Sequence, residues 1–117
     1  MNTKAKISKA LKELGIPANI KGYQYIRCAV ELAIEDAKYM RRTTDLYCEV
    51  GKMFNDKYPN VERAIRHAIE MSWNRANVEF VNELFGYTVD ANKGKPTNGE
   101  FIATVVDYIL MMEDEGK

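Results

Sequence analysis

The sequence predicts an all-α fold of six helices that includes a helix-turn-helix. Three observations predict it. The stretch from Asn60 to Trp73 splits at 3.6 residues per turn into an apolar side and a polar side. No stretch shows the two-residue alternation that marks a convincing strand. Breakers and caps fall where helices would end or begin, at Gly15, Pro17, Pro59, Gly86, Gly94 and Pro96.

Taken in order, the first helix is expected from about Thr3 to Leu14, with Ile7, Ala10, Leu11 and Leu14 inward and Gly15 and Pro17 ending it. The longest is expected from about Tyr23 to Met40. Its stripe is Ile26, Ala29, Val30, Ala33, Ile34 and Ala37. A shorter helix is read over Thr43 to Asn55, capped by Thr43 or Thr44, with Leu46, Val50, Met53 and Phe54 inward. Asn55-Asp-Lys-Tyr-Pro59 is read as a tight polar turn, and Asn60 as the N-cap of the next helix. There Val61, Ile65, Ala68, Ile69, Ser72 and Trp73 form the core stripe.

A short helix opening at Asn77 uses Val78, Phe80, Val81, Leu84 and Phe85, with Gly86 at its C′ position. A loop then runs from Tyr87 to Thr97. Thr97-Asn-Gly-Glu100 has the pattern of a capping box, with Thr97 as N-cap and Glu100 at N3. The last helix runs to about Met112 and buries Phe101, Ile102, Val105, Ile109 and Leu110.

The polar side of the Asn60–Trp73 helix is Glu62, Arg63, Arg66, His67, Glu70 and Asn74. A short helix, a brief turn and a helix with a polar N-terminal half make the helix-turn-helix pattern, expected over about residues 44–74. Arginine can meet guanine acceptors in a major groove, and a carboxylate can accept from cytosine N4. Any solvent-facing helix is rich in charge, however, and Glu62 with Arg66 is an ordinary i,i+4 pair. Periodicity alone therefore favours a solvated surface over a DNA reader.

Length and composition set further bounds. At 117 residues, with 46% hydrophobic and 29% charged residues, the chain is expected to be one soluble domain spanning residues 1–117. No apolar run approaches the roughly 18 residues of a membrane span, and the N-terminus lacks a signal peptide's apolar centre, so a cytoplasmic location is expected. The net charge is zero, which counts against nucleic-acid binding. Its distribution is uneven, with Lys4, Lys6, Lys9 and Lys12 at the start and Lys38, Arg41 and Arg42 in a second group. Lys57, Arg63, Arg66 and Arg75 surround the polar helix, Lys93 and Lys95 sit in a loop, and Glu113, Asp114 and Glu115 gather at the end. Such asymmetry can leave one face basic.

Reactive chemistry is sparse. His67 is the only histidine, so no Ser-His-Asp triad or His-rich metal site is expected. His67 and Glu70 would be half a metal site at most, so no metal, cofactor or enzyme activity is expected. Gly94-Lys95 lacks the rest of a phosphate loop. Tyr23, Tyr25, Tyr39 and Tyr47 read as packing residues. Cys28 and Cys48 read as buried or half-buried thiols, not a regulatory disulfide.

Four blocks carry a resemblance. Gly15-Ile-Pro-Ala-Asn-Ile-Lys-Gly-Tyr23, Val61-Glu-Arg-Ala-Ile-Arg-His-Ala-Ile-Glu70, Leu84-Phe-Gly-Tyr-Thr88 and Lys95-Pro-Thr-Asn98 with Glu100-Phe-Ile-Ala103 closely resemble the C-terminal effector domain of the stage-zero sporulation protein A family. Those proteins are response regulators of endospore-forming Firmicutes. The resemblance runs from about Ile7 to Ile109, in the family's order and approximate spacing.

It implies a transcription regulator that binds double-stranded DNA at a box resembling TGTCGAA, often in tandem. The positions matching Glu62, Arg63, Arg66 and His67 face DNA in the family, and the one matching Lys95 approaches phosphate. Asn60 stands where the family has arginine, which would remove one base contact. Between Met40 and Leu46 the chain is one residue shorter, in a neighbourhood the family uses to contact the sigma factor of RNA polymerase. The candidate DNA-binding set is therefore Asn60, Glu62, Arg63, Arg66, His67, Lys93 and Lys95. The family's receiver domain is expected to be absent, leaving a monomer that binds DNA without gating and pairs only on tandem boxes. The competing expectation is a protein-interaction module or antagonist on the same scaffold.

Overall fold

A computed structural model describes residues 2–73, 78–86 and 94–115. Within them lie α1 (Thr3–Glu13), α2 (Lys21–Glu35), a 3₁₀ turn (Ala37–Met40), α3 (Thr43–Phe54), α4 (Tyr58–Trp73), α5 (Val78–Phe85) and α6 (Asn98–Glu115). The described residues contain six α-helices and no strand, so the all-α expectation holds.

Asn2 starts α1 by accepting the Ala5 N–H at 2.8 Å. Gly15 stops it at φ 81°, and the chain reverses through a Schellman pair. In that pair the N–H groups of Gly15 and Ile16 donate to the carbonyls of Lys12 and Leu11. The reversal sends Ile16 into the core, where Ile7, Leu11 and Leu14 are also buried.

Helix α2 is the central strut, with α1, α3, α4 and α6 all packed around it. Its tightest neighbour is α4, and Gly22 explains why. A Cβ at Gly22 would collide with the Ala64 carbonyl oxygen and lie 2.6 Å from the Ala68 Cβ, so the two helices cross through small residues. The expected run to Met40 is corrected here. At Asp36 the backbone turns extended (ψ 107°), and the carboxylate accepts the Lys38 N–H at 3.0 Å. A short acidic side chain thus competes with the helix for a backbone donor and restarts the chain as a 3₁₀ turn. Ala37, expected inward, is exposed.

Helix α3 departs from expectation at both ends. Arg42, not a threonine, is its N-cap, and Thr43 is the first helical residue. Leu46 and Val50 are buried as expected, but Met53 is 66% exposed and Phe54 41%. They lie over the core's edge: the Cys28 thiol donates to the Met53 sulfur at 3.3 Å, and Phe54 rests 5.2 Å from the Tyr25 ring centroid. Cys48, expected to be buried or half-buried, is exposed, while Cys28 is buried, and both are free thiols.

The buried stripe of α4 is as expected, with Val61, Ile65, Ala68, Ile69 and Ser72 inside. Trp73 is half-buried and meets Phe85 of α5 edge to face at 5.4 Å. In α5, Phe80 and Phe85 are buried, whereas Val81 and Leu84 are half-buried. Gly86 follows that helix without the positive φ of a left-handed C′ residue. Asn77, expected to open α5, lies outside the described residues.

The capping box at α6 forms as the sequence suggests. Thr97 N–H donates to Glu100 Oε1 at 2.9 Å, and Glu100 N–H to Thr97 Oγ1 at 3.1 Å. Phe101, Ile102, Val105, Val106 and Ile109 are buried, but Leu110 is 42% exposed, because the apolar residues of α6 outnumber the positions its neighbours cover.

Candidate nucleic-acid interface

The interface is built on the outer side of α4 and on what holds it in place. Between α3 and α4 the chain turns in Asn55–Lys57. Asn55 is left-handed at φ 56°, a conformation its short polar side chain tolerates, and Asp56 N–H closes onto the Gly51 carbonyl at 2.8 Å. That closure brings the Asp56 carbonyl against Gly51 so tightly that a Cβ there would collide with it. The turn is fixed by a missing side chain.

Asp56 then braces the turn into α4. Its Oδ1 accepts from the Lys57 N–H at 2.8 Å and from Asn60 Nδ2 at 2.9 Å, while Oδ2 accepts from the Tyr25 hydroxyl of α2 at 2.6 Å. Asn60 was expected to be the N-cap, but the helix begins earlier, at Tyr58, and Asn60 is a donor in its first turn. Lys57 precedes the helix, its carbonyl accepting the N–H groups of Asn60 and Val61 at 3.0 and 3.1 Å, so the Asn60 side chain is left to donate to Asp56. These bonds, with that from Tyr25 foremost, hold the Asp56 carboxyl down at about 2. Burial, followed by the bond to Asp56, pushes Tyr25 up to about 12.

With α4 pinned, its stripe turns Asn60, Arg63, Arg66, His67 and Glu70 to solvent and leaves Glu62 half-buried. Arg66 donates to Glu62 at 2.8 Å. Arg63 and His67 have no ion pair among the described residues. Lys95 reaches this face from the loop before α6 and pairs with Glu70. The loop is anchored close by, since Pro96 is buried and Asn98 Nδ2 donates to the Glu62 carbonyl at 3.1 Å. A cleft of about 470 Å³ lies between helix and loop, lined by Glu62, Arg66, Lys95 and Asn98 among others.

The structure thus gathers Glu62, Arg63, Arg66, His67 and Lys95 on one surface, with Asn60 at its edge. Lys93 lies outside the described residues. The second basic group is partly neutralised, because Lys38 pairs with Asp36 at 3.4 Å and Arg42 with Asp45 at 3.8 Å. Sequence reasoning missed Asp56 and took Tyr25 as packing alone. An acidic residue just ahead of Tyr58 and Pro59 was the available signal for the braced turn. Nothing local marks Tyr25 as its partner, 31 positions away.

A helix-turn-helix whose second helix is braced from behind and turns arginines outward defines a class, the helical DNA-binding effector domains. The match is specific. The family model for the sporulation initiation factor Spo0A C-terminal covers residues 7–109, and the chain belongs to that family. The family is one of DNA-binding domains rather than enzymes. No group of metal-binding side chains occurs among the described residues, and no helix among them is long and apolar enough to cross a membrane.

Proposed function

We propose that this chain binds double-stranded DNA sequence-specifically and regulates transcription of sporulation genes, with α4 as its recognition helix. One observation carries the reading. The apolar stripe of α4 and the Asp56-braced turn before it orient Arg63, Arg66 and His67 together toward solvent beside Lys95. In that orientation α4 enters the major groove by its N-terminal half, where Arg63 and Glu62 meet base edges. Arg66, His67 and Lys95 meet phosphates, which set affinity and register. Asn60 is committed to Asp56 and contributes at the rim. The target is a box resembling TGTCGAA. A gel shift on a box-bearing duplex against a scrambled one tests this. Retention of the box alone at moderate salt supports the reading, and equal retention of both refutes it.

Activation would use the segment around the 3₁₀ turn, where Arg41 is exposed, as the surface offered to the sigma factor of RNA polymerase. The chain itself is a monomer in solution, and two copies pair on tandem boxes through a surface too small to hold them together without DNA. Light scattering with no DNA, a one-box duplex and a two-box duplex checks this. A stable dimer without DNA contradicts it.

A further inference from the structure

The DNA-facing surface carries its own anion. Glu70 lies three, four and seven residues beyond His67, Arg66 and Arg63, which places it on the same side of α4. Its carboxylate is not spent on a neighbour along the helix. It takes Lys95, which comes from a loop 25 residues away. Lys95 first, then Arg66 and His67, hold the Glu70 carboxyl below the usual range, so the group sits among the cations of this face.

A carboxylate and a phosphate oxygen are equivalent acceptors for an ammonium group, which cannot satisfy both at full strength. We propose that Glu70 is an internal competitor for DNA phosphate, holding Lys95 in the free protein so that the pair must part before Lys95 can meet the backbone. This deepens the DNA-binding reading and rests on it. Once Lys95 leaves, the uncovered carboxylate faces a polyanion and opposes binding a second time.

The pair is not needed to hold the loop. Both side chains are close to half exposed (40% for Lys95, 46% for Glu70), and exposed ion pairs contribute little to stability. Buried Pro96, the Asn98 bond to the Glu62 carbonyl and the capping box fix the loop independently. A residue that adds little to the fold but opposes the ligand is an attenuator.

The experiment compares wild type, Glu70→Gln, Lys95→Gln and the double variant on box-bearing and scrambled duplexes over a salt series. Thermal melts confirm that each variant is folded. Glu70→Gln is expected to tighten binding on both duplexes by a similar factor, roughly two- to fivefold. Its salt slope should steepen by up to about 0.9, because Lys95 then displaces a counterion with no carboxylate left to take one up. In the Lys95→Gln background the same substitution should tighten binding by clearly less, since only the repulsion of the uncovered carboxylate is then removed.

Weaker binding on the box alone would make Glu70 a base reader and overturn the proposal. Weaker binding on both duplexes, or none of the tightening, would make it a structural brace. Full tightening without Lys95 would show that Glu70 acts through general charge and not through this pair. A wild-type chain that binds neither duplex would refute the DNA-binding reading itself, and the competitor with it.

Discussion

The two faces of α4 are held by different physics. Its inner face is fixed by a buried aliphatic stripe, a crossing at Gly22 too close for a side chain, and a preceding turn whose Asp56 is anchored by a tyrosine from α2. Its outer face is held by ion pairs, Glu62 with Arg66 and Glu70 with Lys95, whose partners can be traded for those of a ligand. Packing is short-ranged and sets one orientation, whereas exposed charge pairs cost little to part. A recognition helix needs both, a fixed bearing and replaceable partners.

Breaking the inner face should give the largest effect. Trp73 closes the C-terminal end of α4 against Phe85, and Phe85 in turn contacts Phe101. Trp73→Ala should destabilise the fold by about 3 kcal/mol, the low end for a large aromatic because the ring is only half-buried. Denaturant unfolding measures it. A variant as stable as wild type that no longer bound DNA would move Trp73 from the inner face to the outer.

On the outer face, Arg63→Ala should cost roughly 1–3 kcal/mol on the box and relax preference at one position. Arg66→Ala should cost less, because the free protein already satisfies that guanidinium through Glu62. Binding assays on single-position box variants separate them. Equal losses of Arg63→Ala on specific and random duplexes would reduce Arg63 to a phosphate contact, the role assigned to Arg66.

Tyr25 sits where the two faces join. Tyr25→Phe should lower Tm by a few degrees and loosen the start of α4 while leaving the stripe intact. The sign with pH follows from Asp56. Its folded-state value, about 2, is below the ordinary carboxylate range, so its contribution is present above about pH 4 and is lost as pH falls toward 2. Tyr25 lies the other way: raised to about 12, it contributes fully below about pH 10 and loses that contribution as pH rises through 12. The Tm gap between wild type and Tyr25→Phe should therefore be widest near neutrality and shrink at both extremes. A gap independent of pH would mean the hydroxyl bond to Asp56 contributes nothing.

The comparison also shows what could be read from sequence. The stripe of α4, the Thr97 capping box and the Gly15 stop were legible because each depends on residues within a few positions of one another. Met53, Phe54 and Leu110 were misplaced because periodicity gives a direction and not the presence of a neighbour. Among the described residues no helix covers the last turn of α3 fully, so its apolar side chains stay at the rim. Asp36 broke the long helix through a bond to Lys38 that hydrophobic spacing does not register. The outer face was legible as a set of residue types. Its wiring was not, because the pair from Glu70 to Lys95 spans 25 residues and depends on where the loop before α6 docks.

The smallest expected effect tests that wiring. Lys95→Ala should weaken binding by the same factor on box and scrambled duplexes, since an ammonium on phosphate carries no base information. A free lysine engaging one phosphate would change the salt slope by about 0.9. Lys95 is not free, because its departure leaves Glu70 to recruit a cation from solution, which offsets part of the counterion released from DNA. The slope should fall by less than 0.9 on removing Lys95 from wild type, and by nearly the whole amount on removing it from Glu70→Gln. Equal changes in the two backgrounds would mean that the ion pair survives in the complex, and that the outer face binds DNA without trading partners.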